Sequence, residues 1–575
     1  MKKGDIVQGY IERTEFPNKG ILTVDGVKIT VKNVIKGQKV ECQIKKKRKD
    51  ACQGLLREVV EASPYESRKP ACPHFGFCGG CAYQTVPYQE QLKMKQEHVR
   101  KLIQSVYPVI EKDGVRLGDG NSQADTGWIP VEEEILGSPK EWHYRNKMEF
   151  SFGDAQKDGP LTLGLHKKGS FYDVMTTDHC QLVASDYHKI LLATLTFFQE
   201  HGISFYHKMS HEGYLRHLLV RRAEKTGQLL VGLVTTSQVP DGFTEEELEE
   251  EYRKCMCALP LNGELMSLLH IVNDGLADVV KSDRTVLLHG KDYVEEELLG
   301  LRFKISVFSF FQTNSLGAEV LYERVRSYVL GQKKSGKNRM LFDLYSGTGT
   351  IAQILSEVAD KVIGVEIVEE AVEAARENAR RNGLTNCEFI AGDVLKVLDA
   401  LEEKPDFIVL DPPRDGIHPK ALEKIASYQV EHMIYISCKP TSLSRDLAAL
   451  KEAGYMLVKY GCVDMFSQTP NVETVCLLSK LHEAKHYVNV RLDMDELDIT
   501  SAESKATYEE IKAYVAEHHD GLKVSNLYIA QVKAKYGIIE HENYNKAKSD
   551  DARQPKCPQE KEEAIVEALK FFQMI

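Results

Sequence analysis

The stretch Leu341-Phe342-Asp343-Leu344-Tyr345-Ser346-Gly347-Thr348-Gly349-Thr350 decides the fold. An apolar strand runs into a turn with two glycines, and a helical pattern begins at Ile351. Lacking Cβ atoms, the glycines let the backbone come close to a ligand, at the carboxyl edge where open α/β sheets bind one. Working outward, Arg339 to Tyr345, Lys361 to Glu366, Cys387 to Ala391, Phe407 to Asp411 and His432 to Ser437 read as strands. Leu316 to Leu330, Ile351 to Glu357 and Glu369 to Asn382 read as helices. Apolar strands alternating with helices predict a parallel sheet covered on both faces. The turn is not G-x-G-x-x-G and lacks the lysine of a phosphate-binding loop, which argues against a dinucleotide or ATP fingerprint.

Polar residues collect at the strand ends. Glu366 can accept the two ribose hydroxyls of a nucleoside, and Asp393 can meet an adenine edge. With Gly347 and Gly349, this arrangement resembles the S-adenosylmethionine site of the large methyltransferase class. Asp411-Pro-Pro-Arg414 closes one strand, and Cys438 follows Tyr435-Ile-Ser437 at the end of another. A cysteine there is placed for covalent attack, with Lys439 favouring its thiolate. Glu473 supplies a carboxylate in a later segment. A sulfur nucleophile, a carboxylate and a methyl-donor pocket fit methylation at carbon 5 of a pyrimidine. That carbon is a poor nucleophile until a thiolate adds at carbon 6, and a base must then remove the carbon 5 proton. Cys438 is the candidate nucleophile and Glu473 the base. Asp411 is a partner for the ring's polar edge, and Arg414 an orienting group.

The remaining sequence predicts several units. The chain has 575 residues, 42% hydrophobic and 28% charged, with net charge −11. Residues 1–60 depart from that acidic average, with 14 Lys/Arg against 7 Asp/Glu, densest from Lys45 to Lys49. Five short strands there, with an Asp25-Gly26 hairpin signal, predict a small closed barrel suited to RNA. Cys72, Cys78 and Cys81 lie within ten residues, and soft thiolates at this density favour an iron–sulfur cluster or zinc. Cys180 is the best fourth ligand, ahead of His74 and His179. Val86 to Tyr107 reads as a helix, 118–127 as a polar loop, and 140–310 as an irregular, mostly antiparallel domain. The acidic last 95 residues read as an extended Leu492 to Leu497, a capping box at Thr500 and Glu503, and helices at Tyr508–His518, Asn526–Tyr536 and Glu560–Phe572; no job is assigned to them. No membrane span or secretory signal is found, and thirteen cysteines are too few for a disulfide scaffold, so a cytoplasmic location is expected.

Taken together, Phe310-Phe311-Gln312-Thr313-Asn314, Asp411-Pro-Pro-Arg414, Ser437-Cys438-Lys439-Pro440 and the four cysteines resemble the S-adenosylmethionine-dependent RNA uracil-5-methyltransferases, in particular the bacterial enzymes acting on 23S ribosomal RNA. The resemblance runs from residue 1 to about residue 480. It implies a TRAM-type, oligonucleotide-binding-like barrel at 1–62 and a mixed, mainly antiparallel α+β domain at 63–315. A Rossmann-like α/β methyltransferase domain at 316–480 and a small helical extension at 481–575 complete the multidomain chain. It implies a [4Fe–4S] cluster on Cys72, Cys78, Cys81 and Cys180. Gln312, Tyr345, Gly347, Gly349, Glu366, Asp393 and Asp411 become the cofactor set, and Tyr144-Arg-Asn-Lys147 an RNA contact. Asn471 departs from the histidine usual before the base. The implied activity is methylation of an unpaired or flipped uridine in 23S rRNA by a monomer. The alternative is transfer RNA as substrate or, further off, an inactive iron–sulfur RNA-binding factor. Arg414 and Cys438 argue against amine methylation, and the Cys72–Cys78–Cys81 spacing argues against radical chemistry.

Overall fold

The computed structural model describes residues 1–48, 51–112, 115–118, 128–277, 281–332, 339–401, 403–480, 508–519, 522–535 and 557–571. Met340–Leu344 lies within an eight-stranded sheet, flanked in parallel by Lys361–Glu366 and Phe407–Leu410. Cys387–Ala391 extends the first side, and His432–Ser437, Glu473–Lys480, Tyr455–Val463 and Val131–Glu132 extend the second. Strand order therefore reverses at Met340–Leu344, which opens a crevice at the carboxyl edge.

Alternate residues serve two cores, as the two-residue period of a strand requires. Leu341, Val409 and Ile434 pack on the side of helices Ser315–Leu330 and Glu369–Arg381. Phe342, Ile408 and Met433 pack on the side of Tyr88–Gln104, Pro419–Ser427 and Pro440–Glu452. The expectation of a parallel sheet is corrected at one strand. Glu473–Lys480 runs antiparallel to both of its neighbours.

Residues 1–62 contain six strands rather than five: Ile6–Tyr10, Arg13–Glu15, Lys19–Val24, Val27–Lys32, Lys39–Arg48 and Ala51–Glu61. Ile6–Tyr10 pairs with Lys39–Arg48, while Arg13–Glu15 pairs with Lys19–Val24. Between them, Ile11 N–H donates to the Gln38 carbonyl (2.8 Å) and Glu12 N–H to the Ile21 carbonyl (2.9 Å). The chain is thus handed from one neighbour to the other around a core of Ile11, Leu22, Val31 and Val40. The basic run Lys45–Arg48 forms the end of the long fifth strand, not a loop.

The region read as irregular is a regular seven-stranded sheet whose middle strand is Leu215–Arg222. All its pairings are antiparallel except Gln228–Thr235 with Glu264–Val272. Contacts divide the chain into Met1–Glu483 and Ala484–Ile575. The second unit holds helices Tyr508–His518, Asn526–Lys535 and Gln559–Phe571 around Ile511, Ile529 and Ile565. The expected extended stretch at 492–497, the capping box at Thr500 and all of loop 118–127 except Gly118 lie outside the described residues. No helix among the described residues is long and apolar enough to cross a membrane.

Candidate active site

At the crevice, Tyr345 (φ +70°), Gly347 (φ +53°) and Gly349 (φ +71°) carry the backbone through the left-handed region. A Cβ on Gly349 would meet the Phe389 ring at 2.5 Å and Ala375 at 2.8 Å, whereas Gly347 faces open space. One glycine is demanded by packing and the other leaves room beside the turn. Glu366, ending the next strand, accepts from Gly347 N–H (3.0 Å), Ile367 N–H (2.8 Å) and Val368 N–H (3.0 Å). Those bonds hold its carboxylate beside the turn. Asp393 caps helix Val394–Ala400 through Leu395 N–H (3.0 Å) and stays half-buried near Tyr345.

Two strands away, the register builds the reactive pair. Ser437 stands opposite Thr474 in the antiparallel ladder. One further step along it brings Cys438, just past its strand, to the level of Glu473, which begins the next. Asp411 follows the adjacent parallel strand. Cys438 is half-buried, not sealed in the core. Its thiol is pushed up to about 11, by burial first and then by the charges of Glu473 and Asp411, while Arg414 pulls the other way. Burial and the neighbouring Asp411 push the Glu473 carboxyl up to about 8, again opposed by Arg414. Burial alone pushes Asp411 up to about 7. Arg414 is thus the cation facing both reactive groups. Lys439, expected to favour the thiolate, instead lies 3.5 Å from Asp415.

A second cavity, about 350 Å³, is lined by Cys72, Cys78, Cys81 and Cys180 together with Arg145 and Phe466. Burial pushes Cys81 up to about 12 and Cys180 up to about 11. His74 also lines this cavity and pairs with Asp178 (3.2 Å), while one His179 ring nitrogen bonds the Asp178 carbonyl (2.8 Å). Among the described residues, the only three metal-donor atoms mutually within 4.8 Å belong to Glu245, Glu249 and His270. There the His270 ring nitrogens already bond Glu249 (2.7 Å) and Thr235 (2.8 Å), and Arg284 pairs with Glu245, an internally satisfied network.

Residues 245–481 match the family model described as tRNA (uracil-5-)-methyltransferase. The chain is 47% identical over 475 residues to a Clostridium tetani protein described as an RNA methyltransferase, covering 83% of this chain and 98% of that one. It is 45% identical over 480 residues to another from Caldanaerobacter subterraneus, covering 84% and 100%. The chain belongs to the S-adenosylmethionine-dependent RNA (uracil-5-)-methyltransferase family. The fold is shared with the Pyrococcus abyssi tRNA (uracil-54, C5)-methyltransferase solved with S-adenosyl-L-homocysteine. TM-score is 0.60 at 23% identity, over 82% of this chain and all of that one.

In this RNA uracil-5-methyltransferase, the structure brings Cys438, Glu473, Asp411 and Arg414 to one sheet edge, with Gly347, Gly349 and Glu366 at the neighbouring turn. Gln312 lies beside the phenol of Tyr322, a buried residue that also senses the charges of Asp411 and Glu473. Two members of the site were missed in the sequence. Tyr322 reads there only as an apolar helix position, and Asp343 only as part of a strand. Asp343 is fully buried, accepts from Ala352 N–H (3.0 Å), and has its carboxyl pushed well above the ordinary range by burial and by Asp411. In the Tyr144–Lys147 segment, read from the sequence as an RNA contact, Tyr144 and Asn146 are buried in internal bonds while Arg145 and Lys147 are half-buried. Asn146 donates to the Gln312 carbonyl and to Ser315 Oγ (both 2.9 Å), and Tyr144 OH donates to the Ser467 carbonyl (3.0 Å).

Proposed function

We propose that the protein methylates carbon 5 of a uridine in RNA by covalent catalysis, with Cys438 as nucleophile and Glu473 as base. The observation that carries this reading is the antiparallel register bringing these two residues to one edge, beside the glycine turn and within the field of Arg414. The Cys438 thiolate adds to carbon 6, and the ring electrons move onto carbon 5 and the carbonyl oxygen at carbon 4. Arg414 and a protonated Asp411 are the donors for that oxygen. S-adenosylmethionine would supply the methyl as a sulfonium and leave as the neutral thioether, and its positive charge favours the ionised Cys438 thiol and Glu473 carboxylate. Carbon 5, now carrying both hydrogen and methyl, loses its proton to the Glu473 carboxylate. The electron pair restores the ring double bond and expels the Cys438 thiolate.

Four thiols around a void, no three within 4.8 Å, suit a bulky cluster better than one zinc ion, whose thiolates crowd at bond lengths of about 2.3 Å. Cys72, Cys78, Cys81 and Cys180 would hold a [4Fe–4S] cluster, which supplies cross-linking of the loops rather than electrons. Iron and acid-labile sulfide after anaerobic purification test this, and zinc in their place would overturn it. Exposed Phe77 (69%), Phe171 (85%) and Tyr172 (65%) beside this cavity offer stacking faces to unpaired bases.

For the RNA, transfer RNA stands first, because the matched family model is described in those terms. Ribosomal RNA stands second, on the resemblance carried by the basic barrel and the four cysteines. Mapping 5-methyluridine in both RNAs, with and without the gene, separates them. For the chemistry, Cys438→Ala should abolish methylation while leaving S-adenosylmethionine binding intact. Glu473→Gln should trap an RNA–protein adduct that survives denaturation. Turnover by Cys438→Ala would overturn the covalent route.

A further inference from the structure

The loop 464–472 connects Tyr455–Val463 to Glu473–Lys480, so it delivers Glu473 to the active edge. The same loop lines the cysteine cavity with Phe466, Thr469 and Asn471. Between these two roles it is held from several directions. Lys95, fully buried, bonds Asp464 (2.6 Å) and the Phe466 carbonyl (3.0 Å). Gln91 and Gln468 bond side chain to side chain (3.1 Å), and Gln468 N–H donates to Gln91 Oε1 (3.0 Å). The Gln468 carbonyl accepts from Ala82 (2.8 Å) and Tyr83 (3.1 Å), the two residues directly after Cys81. Phe466 packs against both the sheet core and the core of the seven-stranded domain. A loop pinned this densely transmits a displacement of one wall to the other, because packed interiors yield little.

We propose that loop 464–472 is a positioning element coupling the cysteine cavity to Glu473, so that the state of the cavity sets the rate of proton removal and Cys438 release. Methyl transfer and RNA affinity are not set by it. Asn471 then gains a place: its side chain faces the cysteines, and its departure from the family's histidine alters the cavity wall rather than the base. Phe466, Thr469 and Asn471 act through Glu473 and touch no reacting atom. The proposal rests on Glu473 being the base.

The test uses the full-length, iron-loaded protein with total RNA from cells lacking the gene. Phe466→Ala and Asn471→Ala should each raise the denaturation-resistant adduct at least about tenfold and lower kcat with little change in KM. Iron per chain and RNA affinity should stay within about twofold, and Phe466→Tyr should restore release. Wild-type protein stripped of iron under anaerobic conditions should accumulate the same adduct, which keeps the test independent of how the variants fold. Slower turnover without adduct, or iron removal without effect on adduct, would overturn the coupling. Failure of the underlying reading shows separately, as no adduct from Glu473→Gln.

Discussion

Glu473 and Asp411 enter the free protein as raised carboxylic acids beside a raised thiol, so at neutral pH Cys438 keeps its proton and Glu473 largely does, where the chemistry needs both charged. The signs follow from linkage. Native Glu473 keeps its proton up to about pH 8 while an unfolded glutamate loses it near pH 4.5, so its contribution to stability is full below that lower value and is lost as pH rises through 8. The base form appears over the same upper range, so release of Cys438 should accelerate as pH climbs from 7 to 9 at the expense of native stability. Because the ionised carboxylates help hold the thiol up, Glu473→Gln should shift alkylation of Cys438 to lower pH. Removing Arg414, the opposing cation, should shift it higher. Iodoacetamide labelling of the Cys438 peptide against pH, followed by mass spectrometry, reads both shifts. No shift in either variant would mean that burial alone sets the thiol.

Between elements, the decisive joint is the buried pair Lys95–Asp464, 2.6 Å apart with neither side chain exposed, joining helix Tyr88–Gln104 to the loop ahead of Glu473. Removing one partner leaves a buried charge unmatched, so Lys95→Met should cost about 3–5 kcal/mol in urea unfolding. Adding Asp464→Asn should recover part of that loss, and additive losses would show that the pairing is not what anchors the loop. Nothing local in the sequence foretells this joint, because its partners are 369 residues apart and each lies in an ordinary polar context. By contrast, the strand from Leu341 and the turn at Gly347 and Gly349 were legible because apolar runs and glycines carry their structural meaning locally. Cys438 and Glu473 were legible as nucleophile and base of one site, but the register that brings them together was not. Their meeting depends on Glu473–Lys480 inverting direction to pair with His432–Ser437, a non-local register. The sixth barrel strand, Arg13–Glu15, was missed because three polar residues show no alternation.

At the scale of the whole molecule, the catalytic edge, the cysteine cavity and the loop joining them all fall within Met1–Glu483. That span is close in length to the family alignments, which run over 475 and 480 residues of this chain and cover 98–100% of the Clostridium and Caldanaerobacter relatives. The helices after Ala484 have their own small core of Ile511, Val515, Ile529, Ile565 and Leu569. Each compact unit has its own apolar core, so the two should be separable in function. A chain ending at Glu483 should bind iron and methylate undermethylated RNA within about twofold of the full chain. Its main thermal transition should stay within about 2 °C. Parallel calorimetry and methylation assays on the two lengths check this. A more than tenfold loss of methylation with an unchanged main transition would instead give the helical unit a part in capturing RNA, since the chemistry would be intact and only substrate delivery would have failed.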